Sequence, residues 1–306
     1  MKDKCNREIK HIRFSVTEQC NYNCIYCDRE GFIPQTSALS VEEIMHLCEI
    51  LANILKVSRI KFTGGEPLCR EDLPEILRRV RNLGVFKDIS LTTNGYFLEE
   101  KAESLKEAGL NRLNMSLSSL NPETYKRIYG RDGLSKVLTG IQKAKSAGLN
   151  PIKLNFVVLK GVNVQEIPDM IEFCGKYNYV LQLIQLHERP DSLKESNGFY
   201  ERYFYDVAPM IHKLEKKAID VKVRGNMQNR KVLIMPNSAV IETVIPSHEF
   251  CKGCTKLRVG CDGNLFGCLY RADLGKNMKQ ALKESEPLEN YKQIIKEVVD
   301  AREPYY

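Results

Sequence analysis

Three cysteines stand in the run CNYNCIYC, at Cys20, Cys24 and Cys27, and a second trio, Cys251, Cys254 and Cys268, stands in CKGCTKLRVGCDGNLFGC. Clustered thiolates are soft ligands, and in a reducing compartment such clusters hold metal. A structural zinc site is closed by four ligands. The first trio leaves it one short, and CNYNCIYCDREG offers no histidine. A redox CxxC needs only Cys24 and Cys27 and leaves Cys20 unexplained. A [4Fe–4S] cluster usually takes four thiolates; held by three, it keeps one iron open to another ligand, and an open iron can do chemistry. For the second trio a zinc ribbon with Cys261 as fourth ligand competes, although Cys261 breaks the usual two-pair spacing. Lys256 and Arg258 alternate beside that trio, so an extended segment would turn both to one side, where an anion could meet them.

Such residues need a scaffold that brings distant loops together. Short β-rich runs recur at 11–17, 58–63, 87–93, 111–118, 152–160 and 179–186, with helix-patterned stretches between them. Ser40 and Glu43 form a capping box before VEEIMHLCEILANIL. Asn121-Pro122 caps PETYKRIYG, and Gly84, Gly109 and Gly148 stop helices. This rhythm implies parallel strands joined by right-handed crossovers. An open doubly wound sheet fits the alternation too. A partial barrel accounts better for the polar strand ends, the cysteine loop, TGGEP (63–67), TTNG (92–95), SLSS (116–119) and QLHERP (185–190), because barrels gather chemistry at C-terminal strand ends. The expected fold is α/β, a partial (β/α)6 TIM-like barrel over 1–187. Residues 188–306 are expected to add a C-terminal α+β layer carrying the second iron–sulfur site. Within it HERPDSLKESNGFY (187–200) reads as a polar connection and RYFYDVAPMIHKLEKKA as one helical run. Three β-like pieces follow, and amphipathic helices close the chain from about 275 to 301.

Bulk properties exclude several classes. The 306-residue chain holds eleven cysteines, an odd number, and no secretion signal, which argues against a disulfide framework. No apolar run reaches the ~18 residues of a membrane span. A cytoplasmic protein is expected. The net charge of +7 is mild. It fits a solvated surface or an anionic small substrate better than nucleic acid, since no basic stripe interleaved with aromatics appears.

CxxxCxxC directly after a first strand, with an aromatic before its third cysteine, resembles the radical S-adenosylmethionine (SAM) superfamily, and GGEP (64–67) resembles that superfamily's SAM-binding motif. With the CxxC-x13-C group and CTKLRV, the whole chain resembles the GTP 3′,8-cyclase family, which opens molybdenum cofactor (molybdopterin) biosynthesis. The resemblance implies a lyase with two [4Fe–4S] clusters and SAM. Cys20, Cys24 and Cys27 would hold the cluster that cleaves SAM, and Cys251, Cys254 and Cys268 a second one facing the substrate. It implies SAM contacts at Tyr26, Gly64, Gly65, Glu66 and Ser116, and GTP contacts at Arg13, Lys61, Thr92, Lys153, Lys256 and Arg258. The implied reaction abstracts the C3′ hydrogen of GTP, and C3′ then attacks C8 of guanine. A low-potential electron donor and a downstream cyclic pyranopterin monophosphate synthase are the implied partners.

The chain departs from the family pattern at Lys256, where arginine is usual, at QLIQ (182–185) in place of RFIE, at Gly260-Cys261, and in ending REPYY without a Gly-Gly tail. Two other classes stay open: a radical SAM maturase or paralogue acting on a peptide or other substrate, and a metal-binding scaffold without turnover.

Overall fold

The computed structural model describes residues 1–27, 38–188, 198–225, 228–284 and 286–305. Six parallel strands come first: β1 (His11–Ser15), β2 (Arg59–Thr63), β3 (Asp88–Thr93), β4 (Arg112–Ser116), β5 (Ile152–Val158) and β6 (Val180–Gln185). Helices α1 (Val41–Leu55), α2 (Leu73–Asn82), α3 (Leu98–Glu107), α4 (Pro122–Tyr129), α5 (Leu134–Ser146) and α6 (Ile167–Tyr177) lie between them. Their starts and stops follow local chemistry. Ser40 Oγ accepts from the Glu43 N–H while the Glu43 carboxylate accepts from the Ser40 N–H, closing the capping box of α1. Asn121 Oδ1 accepts from the N–H groups of Glu123 and Thr124 at the start of α4. Gly84, Gly109 and Gly148, just past α2, α3 and α5, adopt the positive φ that ends a helix without a Cβ penalty.

The middle residues of each strand alternate. One face carries Ile12 and Phe14, Ile60 and Phe62, Ile89 and Leu91, Leu113 and Met115, Leu154 and Phe156, Leu181 and Leu183, all buried. The other carries polar side chains: Arg13, Lys61, Ser90, Asn114, Asn155 and Gln182. Period-two alternation sends these sets to opposite sides of the sheet. The aliphatic side forms the core with the helices; the polar side faces a cavity.

An open parallel sheet leaves backbone groups unpaired at both edges. The C-terminal segment satisfies them by extending the same sheet. From 199 onward it forms α7 (Phe199–Tyr203), α8 (Ala208–Lys217), β7 (Asp220–Arg224), β8 (Arg230–Ile234), β9 (Val240–Val244), α9 (His248–Lys252), β10 (Lys256–Val259), β11 (Asn264–Phe266), β12 (Lys276–Asn277), α10 (Lys279–Glu284) and α11 (Leu288–Asp300). The twelve-stranded order is β12-β11-β10-β1-β2-β3-β4-β5-β6-β9-β8-β7. β10 adds in parallel beside β1, and β9 in parallel beside β6; the outer strands on each side are antiparallel.

The helical run expected over RYFYDVAPMIHKLEKKA is two helices. Asp206 Oδ1 accepts from the Ala208 N–H and Pro209 stands in the first turn of α8, so the chain restarts a helix there instead of continuing one. Most of the polar connection expected at 187–200 lies outside the described residues. Among the described residues no helix is long and apolar enough to cross a membrane.

Candidate active site

The loop after β1 carries Cys20, Cys24 and Cys27, and α4 anchors it. The N–H groups of Asn23 and Ile25 donate to the carbonyls of Tyr129 and Ile128, at 3.1 and 2.9 Å. These belong to the last turn of the helix, where carbonyls lack helical partners. Tyr22 packs against Tyr96, Tyr125 and Tyr129, with its hydroxyl 2.8 Å from that of Tyr125, and the Tyr26 hydroxyl donates to Tyr129. Burial, and then the neighbouring Cys27 and Cys20, push the Cys24 thiol well up. A cation bound among the three sulfurs would favour the thiolate at Cys24, and three soft donors suit a cluster.

The loop after β2 locks onto the approach to Cys20. Gly65 N–H donates to the Thr17 carbonyl and Glu66 N–H to that of Gln19, both at 2.7 Å. A Cβ on Gly65 would stand 2.4 Å from the carbonyl oxygens of Gln19 and Glu18. The glycine is therefore required by the chain's own cysteine loop, beyond the ligand approach expected of it. Glu66 is buried. One carboxylate oxygen accepts from Thr93 Oγ1 (2.6 Å) and the Leu68 N–H (3.0 Å), the other from the Asn94 N–H (2.6 Å). It braces the loop after β2 against TTNG after β3. Burial raises its pKa to about 7, against the pull of those donors.

The second trio is assembled by segments from both ends of the sequence. Cys251 lies in α9, whose start Ser247 caps; Cys254 precedes β10 and Cys268 follows β11. Arg7 Nη1 donates to the Cys251 carbonyl at 3.1 Å and Arg302 Nη2 to the Cys254 carbonyl at 2.7 Å. Both guanidinium groups meet the carboxylate of Asp3, at 2.7 and 2.9 Å. Gly267 leaves room for Arg302, whose Cγ would stand 2.3 Å from a Cβ there. Burial pushes the Cys254 thiol up, but Lys256, Arg302 and Arg258 outweigh it and bring the pKa below the ordinary thiol value. Cys261 is 3% exposed, its carbonyl accepts from the Leu39 N–H, and it does not line the cavity that the trio lines. Among the described residues no three His, Cys, Asp or Glu side chains converge tightly enough to share one metal ion. Sulfurs bound to separate corners of a cubane stand farther apart than ligands of a single ion.

Both trios line one cavity of about 1190 Å3, larger than the ~300–1,000 Å3 of a usual small-molecule site. Tyr26, Gly64, Gly65, Glu66 and Ser116 line it on the side of the first trio's loop and its neighbouring strand ends. Arg13, Lys61, Thr92, Lys153, Lys256 and Arg258 line it as well. The register explains the gathering: Arg13 pairs with Lys61 on one side and Arg258 on the other, and Lys153 with Asn114. Among the described residues lining the cavity, twelve Arg and Lys face five Asp and Glu. Burial, then Arg112 and Arg13, drive the Lys61 pKa well down; burial and Arg230 bring Lys256 to about 7. Lys61 Nζ donates to Asn114 Oδ1 at 2.9 Å, and Lys153 donates to Glu242. A cation-rich wall of low dielectric focuses a positive potential and attracts an anion.

Sequence reasoning missed Glu242, Arg224, Arg230, Gln228 and the Asp3–Arg7–Arg302 group. One signal was present. DVKVR alternates charged and aliphatic residues as HIRF and KLRV do, whereas RKVLI does not and gave no such signal for Arg230.

The chain resembles known proteins in sequence and in fold. A family model described as the radical SAM superfamily matches residues 14–174, and one described as molybdenum cofactor synthesis C matches 180–306. A probable GTP 3′,8-cyclase of Methanothermobacter thermautotrophicus is 41% identical, covering 100% of this chain and 99% of its own. One from Thermococcus kodakarensis is 43% identical, covering 99% of each. Among solved structures, Streptococcus suis SuiB bound to the precursor peptide SuiA superposes with a TM-score of 0.70 at 14% identity, over 98% of this chain and 69% of that one. The enzyme anSMEcpe with bound AdoMet and Cp18Cys peptide gives 0.63 at 18%, over 96% and 84%. At those identities the likeness is one of fold.

Proposed function

The chain belongs to the GTP 3′,8-cyclase family of the radical SAM superfamily, and from that membership we propose how its cavity serves the reaction. The protein is a radical SAM enzyme of molybdenum cofactor biosynthesis that uses SAM and two [4Fe–4S] clusters and takes GTP as substrate. Its product is (8S)-3′,8-cyclo-7,8-dihydroguanosine 5′-triphosphate, which makes it a lyase. The observation that carries this reading is that both cysteine trios line a single cation-rich cavity.

Cys20, Cys24 and Cys27 would hold the first cluster, whose chemistry with SAM is to supply a 5′-deoxyadenosyl radical for hydrogen abstraction. The rest falls to the protein's own groups. Tyr26, Gly64, Gly65 and Ser116 hold SAM near that trio, and Glu66 keeps the glycine loop in place. Cys251, Cys254 and Cys268 would hold the second cluster on the substrate side of the cavity. Arg13, Lys61, Lys153, Lys256 and Arg258, with Thr92, orient the nucleotide and neutralise its phosphates through charge-assisted hydrogen bonds. Fixing SAM and GTP in one cavity brings the radical carbon to the C3′ hydrogen, and holding the nucleotide in one conformation keeps its C3′ close to its C8. The cationic wall suits a triphosphate, and an uncharged peptide would leave the wall's charge unpaired. The enzyme works in the cytoplasm, takes its electron from a low-potential donor and passes its product to cyclic pyranopterin monophosphate synthase.

The test is anaerobic incubation of reconstituted protein with SAM and a reductant. GTP should accelerate 5′-deoxyadenosine formation and yield the cyclic nucleotide in equal amount. Stimulation by a peptide or another nucleotide, with none by GTP, refutes the assignment.

A further inference from the structure

The wall opposite the SAM-side loops contains cations that no part of the assignment above uses. Building on GTP as substrate, we propose that Arg224 and Arg230, paired across the β7–β8 hairpin and positioned by Glu242, form a further binding site for the polyphosphate of the nucleotide.

The pair is a product of register. Arg224 lies directly opposite Arg230 in the antiparallel ladder, and both side chains line the cavity. Glu242, on the adjacent strand β9, is 3% exposed. Its carboxylate accepts from Arg224 Nη1 at 2.7 Å, from Gln182 Nε2 at 3.0 Å and from Lys153, and Arg230 Nη1 lies 3.8 Å away. One buried carboxylate thus faces three cations. Neutralising Glu242 requires one of them; the other two are in excess.

Arg230 is only 9% exposed, and its Nε–H is buried without a hydrogen-bond partner. Its Nη2 donates to Gln228 Oε1 at 3.2 Å, and the same oxygen accepts from Lys256 Nζ at 2.8 Å. Gln228 therefore joins the hairpin to β10, and Arg230 stands between the Glu242 group and the cations on β1, β2 and β10. Arg13, Lys61 and Lys256 all lie within its electrostatic reach. Like charges packed into a poorly solvated wall repel, and removing them from water is costly unless an anion joins them. A polyphosphate has oxygens enough to meet several at once. A guanidinium fork adds two parallel bonds to one phosphate, which lysine cannot supply. A merely structural role would require only as much positive charge as Glu242 carries negative.

Binding of GTP, GDP, GMP, guanosine and inorganic triphosphate is measured by anaerobic calorimetry on the reconstituted enzyme without SAM or reductant. Arg230→Gln should weaken GTP and inorganic triphosphate by about 10- to 100-fold, the span of one lost charge-assisted contact. Guanosine should change by less than threefold. Arg224→Gln should act in the same direction, and Arg230→Lys should recover part of the loss. Unchanged GTP affinity in Arg230→Gln overturns the proposal, as does an equal loss for guanosine and GTP with a lowered melting temperature, which would mark a structural residue. Arg230-dependent binding of inorganic triphosphate by a protein that ignores GTP would sink the cyclase assignment and leave the site standing. Binding of neither would overturn the site.

Discussion

Asp3→Asn tests whether the second thiol group depends on the far ends of the sequence. The Asp3 side chain is fully buried, and the two guanidinium groups on it are 7% and 2% exposed. Each also donates to the carbonyl of a cysteine, Cys251 or Cys254. The substitution keeps the shape and removes the charge, stranding two cations in a site with little water. Breaking a buried pair in this way costs about 3–5 kcal/mol. At roughly 1.5–2 °C per kcal/mol for a chain of this size, the melting temperature should fall by roughly 5–10 °C. The damage is local to the second trio, so iron after anaerobic reconstitution should fall from about eight per chain toward four. SAM binding at the first trio should persist. Lys10→Ala is the control, since its pair with Glu8 is half exposed on both sides and worth about 0–1 kcal/mol. Full iron content with unchanged melting in Asp3→Asn would refute the reasoning.

Other outcomes follow from single contacts. Gly65→Ala must displace the backbone of residues 18 and 19, so it should lose SAM affinity by at least tenfold and lower first-cluster iron; wild-type affinity would show that the loops are not locked together. Burial lowers the pKa of Lys61 and of Lys153, so each holds its proton less firmly in the free protein than in the unfolded chain. The unfolded state then binds more protons above those lowered values, and stability rises with pH until the ordinary lysine value is reached. An arriving triphosphate favours the charged forms. GTP binding at alkaline pH should therefore take up protons and weaken as pH rises; calorimetry in two buffers of different ionisation enthalpy reads the uptake, and identical heats would refute it.

Much of the scaffold is legible because it is set locally. Ser40 with Glu43, Asn121-Pro122 and the glycines at 84, 109 and 148 make their hydrogen bonds within a turn, and the structure holds them as the local chemistry requires. What local pattern cannot supply is the partner of each strand. Nothing in KLRV says that Lys256–Val259 lies beside β1, nor does anything in VIETV put Val240–Val244 beside β6. Glu242, Arg224 and Arg230 acquire their neighbours only from that register, so they escaped notice. The singled-out side chains meet in one cavity for two reasons. The cysteine and glycine loops, Thr92 and Ser116 sit at or near the C-terminal ends of parallel strands. Arg13, Lys61, Lys153, Lys256 and Arg258 share the cavity side along the strands, Lys153 and Lys256 near their starts. Arg13 and Lys61 stand in the same two-residue alternation as Lys256 and Arg258, which marks the part of the lining carried by β1, β2 and β10.

Because the middle residues of β1 to β6 put aliphatic side chains on one side and polar ones on the other, stability and chemistry are written in separate letters of the same words. Exchanging Arg13, Asn114 or Gln182 removes little of the buried packing made by Phe14, Met115 or Leu183. The cavity wall can therefore drift toward a different small molecule while the framework survives. That is the freedom needed for proteins at 14% identity to keep one architecture.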